Sequence, residues 1–442
     1  MWPQAETGGW SAMSSARAAV TRSREEAITA RVSSRRAGAG LCRLGNPPYD
    51  PLMRSLRRPA VTALVIWLLG VNLRSIIFGV PPVLPQVRQD LGLSFSAAGA
   101  LTSVAIGMLG LGSIPGAVLG TRLGAHRTVT VSSLVLGGAA AARLLPPELF
   151  WVFAGTLALT ACVALAQPSV PVLVRRWYPD SVPRVSSVYS NGILIGNVAG
   201  ASVTPLVEQL FGWRPTFLMW AGIALLGGAL WVWLTPRDDR PSPPIRFLAA
   251  AREPRVWQIT ALFVFQNIAY FTVSTWLPFL LRGQSAAYVS FVLLCLNCFP
   301  LGPLLLLAFV GWNYAISTVF YMAAAVMTVI GTLGLLLGMV PLAWLLAFLV
   351  GLGCAGAFVG VLALPPLMAR DEMEVAAFTA LVFTAGYLLS FGGPLLAGAL
   401  ADGTGQVTAA FWPALVAGIL MAVVGLFAPR MLARAAAAGA PA

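Results

Sequence analysis

Lysine is absent from these 442 residues; all 28 basic side chains are arginine. Charge of either sign is scarce, at 10% of residues against about 25% in soluble domains. One histidine and five cysteines complete a short supply of metal ligands. Each shortage excludes something. With 58% hydrophobic residues, so little charge cannot cover a soluble core, whose surface must stay polar. A water-soluble enzyme, a disordered chain and a fibrous protein are therefore excluded. The lone histidine, His126, falls in a predicted loop, which excludes a histidine metal cluster and gives the apolar runs no imidazole relay. Cys295 and Cys298 form a C-x-x-C spacing, but inside an apolar run without a His or acid nearby, so they read as small apolar residues. No cofactor and no metal is expected.

The net charge of +13 raises the question of nucleic acid. Its distribution answers no: ten arginines precede residue 59, and the rest, with one exception, sit between apolar runs or at their ends, with no basic cluster interleaved with exposed aromatics. What is abundant is apolar length. Twelve runs, at 61–84, 96–120, 128–145, 150–174, 186–208, 215–235, 256–281, 287–310, 314–338, 341–367, 374–399 and 407–429, are each long enough to cross about 30 Å of hydrocarbon as a helix. They are continuous rather than alternating, which excludes a closed barrel. The expected organisation is a basic leader over 1–59, a six-helix bundle over 60–235, a linker over 236–255, a second six-helix bundle over 256–430 and a tail over 431–442.

The leader is rich in Ala, Ser and Arg, cannot bury a core and is expected to be disordered. It lacks the apolar segment of a secretory signal. Its composition loosely fits an organelle transit peptide; the reading preferred here is an over-extended start, with Met53 opening the functional chain as "MRSLRRPAVTALVIW". Arginine counts set the orientation. With the N-terminus cytoplasmic, inside segments hold 23 arginines and outside loops hold 4, namely Arg88, Arg143, Arg214 and Arg282. Both termini are expected to be cytoplasmic.

The halves repeat in outline. "PVLVRRWYPDSVPRVSSVYSNG" after the fourth run and "PPLMARDEMEVAAFTALVFTAG" after the tenth each take a Pro-containing helix end through Arg and acids into a helix carrying Gly. Two such halves joined by a polar linker suit a parallel-repeat transporter with its site between them.

Arg74 is the one arginine deep inside a run, with at least ten residues of span on either side. A charge at that depth costs about 2.5–3.5 kcal/mol or more. No Asp or Glu lies near mid-depth in any run; Glu208 is at the end of its own. Two readings follow. Arg74 faces a wet cavity and awaits an anionic solute, which its planar fork of donors suits; or it bonds helix-end carbonyls and fixes a bend near Pro81 and Pro82. Neutral polar groups should also turn inward: Asn72, Gln167, Asn191, Asn197, Gln266, Asn267, Tyr270, Asn297 and Tyr387. For each, helix-to-helix bonding competes with solute contact. Glycine recurs every four residues at 112, 116 and 120 and at 192, 196 and 200, and again at 386, 392, 393 and 398. Such faces allow close approach, either as sliding surfaces between halves or as static packing. Pro115, Pro205, Pro303 and Pro394 are expected to bend their helices. The lack of buried acids leaves coupling to a substrate proton, to anion exchange, or to none.

Several segments carry a resemblance. "NLR" at 72–74 followed by "VPPVLPQVRQDLGLSFSAAGALTS", the connection "RRWYPDSVPRVSSVYSNGILIGN", "WQITALFVFQNIAYFTVSTWLP" and "MEVAAFTALVFTAGYLLSFGGPLLAGALAD" are similar to the major facilitator superfamily, and within it to the cyanate permease and nitroimidazole transporter group. The resemblance implies an all-α membrane protein of twelve transmembrane helices in two six-helix bundles, alternating access, a bacterial inner-membrane location, and a role for Arg74 in binding an anion or nitro group. It also implies gating by Arg122, Gly124 and Arg127 in "LGTRLGAHR", although Thr121 stands where the family usually has Asp. The loop "FVGWNYAI" has no basic residue where the family has a cluster, and the antiporter signature is partial in "GILIGNVAGASVTP". The expected function is transport of a small, cyanate-like anion by a monomer in the lipid bilayer, with substrate contacts from Arg74, Asn72, Gln167, Asn191, Gln266, Asn267, Tyr270 and Tyr387. The alternatives are a drug or nitroimidazole exporter on the same fold and, from another class, a membrane sensor, for which no segment is long enough to form an output domain.

Overall fold

The computed structural model describes residues 59–238, 251–299, 317–368 and 372–438. Every regular element in them is helical. The leader, linker residues 239–250, the "FVGWNYAI" loop, Pro303 and Arg370 lie outside the described residues. Lipid offers the backbone no hydrogen bonds, so a continuous apolar run satisfies its own N–H and C=O groups by coiling. Ten helical segments are long and apolar enough to cross a membrane.

The first half holds α1 (Pro59–Phe78), α2 (Val80–Asp90), α3 (Phe95–Arg122), α4 (Ala125–Ala142), α5 (Glu148–Ala166), α6 (Ser169–Trp177), α7 (Val182–Phe211) and α8 (Trp213–Leu234). The second holds α9 (Pro254–Leu280), α10 (Ala286–Asn297), α11 (Thr318–Leu336), α12 (Ala343–Met368), α13 (Glu372–Ser390), α14 (Gly392–Thr404) and α15 (Trp412–Ala438). Pairs α1–α2, α5–α6 and α13–α14 are single spans with a break. The third run is the 18-residue α4, and the eighth run is α10 as far as Asn297.

Local signals set the ends. Ser94 caps α3 by accepting from the Ala97 N–H at 3.0 Å, and Ser285 caps α10 through Tyr288 at 3.2 Å. Gly124 starts α4 at φ +89°, a conformation a side chain would strain. The helix breaks do not fall at Pro115 or Pro205. Pro115 and Pro205 sit inside unbroken helices, while the first span breaks at Gly79, the fourth at Gln167–Pro168 and the eleventh at Phe391, just before Gly392-Gly393-Pro394. At Gly79 a Cβ would meet the Trp220 indole at 2.9 Å and the Ser75 carbonyl at 3.0 Å, so this break needs glycine for space.

The glycine stripes lie mostly inside the first half. Gly192, Gly196 and Gly200 press α7 onto the α1 backbone at Trp67, Val71 and Ser75, and Gly112 and Gly116 press α3 onto α5 at Ala164 and Leu165. Close approach between the halves is made elsewhere. Gly99 faces the Pro394 carbonyl and Gly107 faces Phe391, while a Cβ on Gly110 would lie 2.8 Å from the Thr384 carbonyl and one on Gly398 2.5 Å from the Phe95 carbonyl. A second junction joins α7 and α10, where the Ser290 hydroxyl donates to the Ser202 carbonyl at 2.5 Å.

Arg143, counted among loop arginines, is only 1% exposed. Its Nε donates to the Ala140 carbonyl at 3.3 Å and its Cζ lies 4.0 Å over the Phe217 ring. Both terminal nitrogens are fully occluded without a partner among the described residues. One carbonyl bond and a cation–π contact of about 2 kcal/mol do not offset a desolvation cost of several kcal/mol. Arg143→Met is therefore expected to stabilise the protein by about 1–4 kcal/mol, read as a higher melting temperature in detergent, whereas Arg143→Ala leaves a void and gains less. A fall in melting temperature for the Met variant would show that the charge is paired in the membrane.

Candidate functional site

Arg74 projects from α1 where that helix crosses α7; its Cβ lies 3.0 Å from the position a Cβ on Gly196 would take. It is 7% exposed and makes no hydrogen bond or ion pair among the described residues. Its nitrogens, unlike those of Arg143, are not among the fully occluded unpartnered atoms. The carbonyl-bonded alternative thus finds no bond here, and the bend near Pro81 forms at Gly79 without it. Arg74 lies within electrostatic range of the Tyr189 and Tyr270 hydroxyls.

One turn on, at i+4, Phe78 meets α9 of the other half, with ring centroids 6.1 Å from both Tyr270 and Phe271. Aromatic contacts continue through Phe271 to Tyr387 at 6.4 Å, and Tyr387 packs on Phe263 at 5.2 Å and Phe383 at 5.9 Å. The guanidinium therefore stands beside an aromatic bridge between the halves. Phe78 and Phe271 were not singled out in the sequence; the i+4 spacing from Arg74 was the available signal for Phe78.

The other expected site residues divide. Tyr270 donates to the Asn297 Oδ1 at 2.5 Å, and both Gln266 and Asn267 are buried with one unpartnered side-chain atom each, Oε1 and Nδ2. These three share α9, spaced so that Tyr270 follows Gln266 by one turn. Asn72 is two residues from Arg74, hence on another face of α1, where its amide packs over Gly227 of α8. Asn191 is exposed and accepts from the Trp67 indole at 2.9 Å, a helix-to-helix bond. Gln167 is half-buried at the α5–α6 break. Asn72 and Asn191 thus each pack against a neighbouring helix in this conformation.

Beyond Arg74 along the same helix faces lies a small cavity of about 20 Å³, lined from both halves by residues including Ile77, Phe78, Thr156, Phe271, Ser274 and Thr275. Past it the halves are sealed. The Asp402 carboxylate, at the end of α14, accepts from the Phe95 N–H at 2.8 Å, the Ser96 N–H at 2.7 Å and the Ser96 hydroxyl at 2.5 Å. A residue of the second half thus completes the capping that Ser94 begins on the first. Arg88 stacks 3.6 Å over the Phe95 ring, and Arg282 donates to the Gln89 Oε1 at 2.7 Å, again between halves. Arg214 bridges Asp90 at 3.2 Å and Glu148 at 2.7 Å within the first half.

At the opposite end, Arg122 and Arg127 are exposed beside buried Gly124, and Thr121 turns its hydroxyl onto its own helix at Val118, 2.7 Å away. His126 is not in a loop: it is the second residue of α4, buried, stacked on Trp231 at 5.9 Å with Nε2 3.1 Å from the Thr235 hydroxyl. Asp238 pairs with Arg176 at 3.3 Å close by in sequence to Thr235.

Known proteins bear on this arrangement. The chain is 27% identical over 375 residues to the 2-nitroimidazole transporter of Escherichia coli, covering 83% of this chain and 94% of that protein. It is 28% identical over 303 residues to the cyanate transport protein CynX of the same organism, covering 67% and 78%. Among solved structures, a bacterial homologue of the human lysosomal transporter Spinster, inward-facing and unoccupied, superposes with a TM-score of 0.68 at 15% identity, covering 88% of this chain and 99% of that one. The family model of the Major Facilitator Superfamily matches residues 62–316. This chain is a multi-pass membrane transporter that belongs to the Major Facilitator Superfamily.

Proposed function

We propose that this transporter carries a small anion or anion-like solute, of the size and charge of cyanate, by alternating access, and that Arg74 holds the anion. The observation that carries the reading is the Arg74 guanidinium: deep in a span, 7% exposed and without a hydrogen-bond or ion-pair partner among the described residues. A cation that the fold leaves unpaired at such cost is explained by a partner that arrives from solution. Tyr270, Gln266, Asn267 and Tyr387 supply the wall of the site across the halves, and Arg122, Gly124 and Arg127 belong to the gate at the opposite end from Asp402. Coupling then runs through anion exchange or a substrate proton. The working location is a bacterial inner membrane, with both termini cytoplasmic and the Asp402 end outside, and the working unit is a monomer.

A second reading, export of nitroimidazole-like compounds, is favoured by the aromatic bridge at Phe78, Tyr270 and Phe271, whose faces suit a flat ring. One experiment separates the two. Purified protein in liposomes is offered labelled cyanate, other small anions and labelled nitroimidazoles at equal concentration. Saturable cyanate flux, competed by small anions and not by nitroimidazoles, is expected. Flux of nitroimidazole alone would replace the anion reading with the second.

A further inference from the structure

The cavity beyond Arg74 has a chemistry of its own. Most of its wall is apolar, from residues such as Ile106, Leu109 and Leu159. Five hydroxyl residues also line it, Thr102, Thr156 and Thr160 from the first half and Ser274 and Thr275 from the second. Two of these are spent on their own helices: Thr102 donates to the Gly99 carbonyl at 3.0 Å and Thr160 to the Thr156 carbonyl at 2.7 Å. The other three are not. Thr156 is 1% exposed and its hydroxyl is buried without a partner. Ser274 and Thr275 are buried and make no hydrogen bond among the described residues. Back-bonding to the preceding turn is the usual resting place of a helical Ser or Thr hydroxyl. Three that decline it among the residues lining one cavity leave free hydroxyls at the edge of an apolar chamber.

The geometry points to a second binding station for the transported anion, built from Thr156, Ser274 and Thr275, on the far side of Arg74 from the exposed gate. This rests on the anion reading of Arg74. Its position follows from helical spacing: on α9, Gln266, Tyr270 and Ser274 form one i+4 ladder and Asn267, Phe271 and Thr275 the next, while Phe78 stands one turn beyond Arg74 on α1. A solute leaving Arg74 towards the Asp402 end passes these hydroxyls. They can donate to its acceptor atoms without a second full charge, so the anion is handed on rather than trapped. The open volume of about 20 Å³ holds one water-sized particle at a time. In this conformation the chamber takes one end of a slender ion, whereas a ring-sized compound, whose pockets run to about 300 Å³ or more, finds no room. Because the hydroxyls come from both halves, the station exists only while the halves are joined, and their parting disassembles it.

The test uses Thr156→Val, Ser274→Ala and the double variant, beside wild type and Arg74→Ala. Labelled cyanate is measured as equilibrium binding to detergent-solubilised protein and as initial flux into liposomes. The double variant is expected to bind cyanate within about twofold of wild type, because Arg74 still holds it, while its flux falls at least about tenfold. Thr156→Ser is expected to keep wild-type flux. The melting temperature of Thr156→Val should equal or exceed wild type, since a methyl replaces an unpaired buried hydroxyl, so the lost flux is not misfolding. Unchanged flux in the double variant overturns the station and leaves the Arg74 reading standing if Arg74→Ala still abolishes binding. Cyanate that neither binds to nor crosses with wild type overturns both.

Discussion

Arg74→Ala is expected to abolish cyanate flux, at least about 100-fold, and Arg74→Lys to lose most of it. The alanine variant removes the only charge near mid-depth among the described residues, and an anion entering a low-dielectric site without a counter-charge meets a cost of several kcal/mol. A loss of about 2.7 kcal/mol is already 100-fold. The lysine variant keeps the charge but concentrates it in one ammonium, with no planar fork to hold a linear anion in a set direction. The two variants should differ in kind: alanine loses binding, while lysine retains weak binding and turns over slowly. Stability should move the other way. Removing an unpaired charge from a span lowers the cost of inserting it, so the alanine variant is expected to melt no lower than wild type. Retained flux in a well-folded alanine variant would contradict the site.

Asp402→Ala is the second large effect, because one carboxylate makes three hydrogen bonds from one half of the protein to the other. Two of the donors are the first backbone N–H groups of α3, which have no partner within their own helix. An N-terminal cap is worth about 0.5–2 kcal/mol, and a carboxylate there also gains from the helix dipole. Asp402 is itself exposed, so the lower part of that range is the better guide to its Coulombic share. Loss of about 1 kcal/mol from the sealed state shifts the populations about fivefold towards parting at this end. A cysteine placed at Ala105, which lines the cavity below the seal, reports it. In Asp402→Ala its labelling by an impermeant thiol reagent from the Asp402 side should speed up at least about fivefold, with Asp402→Asn intermediate because one acceptor oxygen survives. Equal rates in all three would mean that the glycine contacts of Gly99, Gly110 and Gly398 hold the seal without the carboxylate.

How much of this was legible in the sequence depends on the type of signal. The spans were legible because lipid forces every backbone group to pair within its own run, and a run without charge shows its length directly. The break in the first span was not, because Pro81 and Pro82 drew attention from Gly79, whose role depends on Trp220 reaching across from α8. Arg74 was legible as a lone charge between uncharged neighbours. Its company was legible only in part: Tyr270 and Tyr387 lie in the aromatic network beside it, whereas Asn72, adjacent in sequence to the residue before Arg74, lies on another face. Polarity says that a side chain avoids lipid; it does not say whether a helix or a cavity receives it. Asn191 illustrates the difference, being taken up by Trp67. Arg143 was read as a loop residue because it follows the alanine run of α4, and nothing in that run shows that Phe217 closes over it. Asp402 escaped notice for the opposite reason, since an acid at a span end is ordinary until its partner helix is known. The three chamber hydroxyls are the least legible of all. A Thr that bonds its own helix, such as Thr160, and one that does not, such as Thr156, look the same in sequence.

The anion-holding role of Arg74 is tested most directly by equilibrium binding rather than flux, since flux also depends on the seal and the chamber. Labelled cyanate is titrated against purified wild type and Arg74→Gln, a variant that keeps polarity and much of the length but not the charge. Saturable binding to wild type and none to the glutamine variant, at matched melting temperatures, is the predicted result. Equal affinity in the two would contradict the account, because the anion would then be held by something other than that guanidinium.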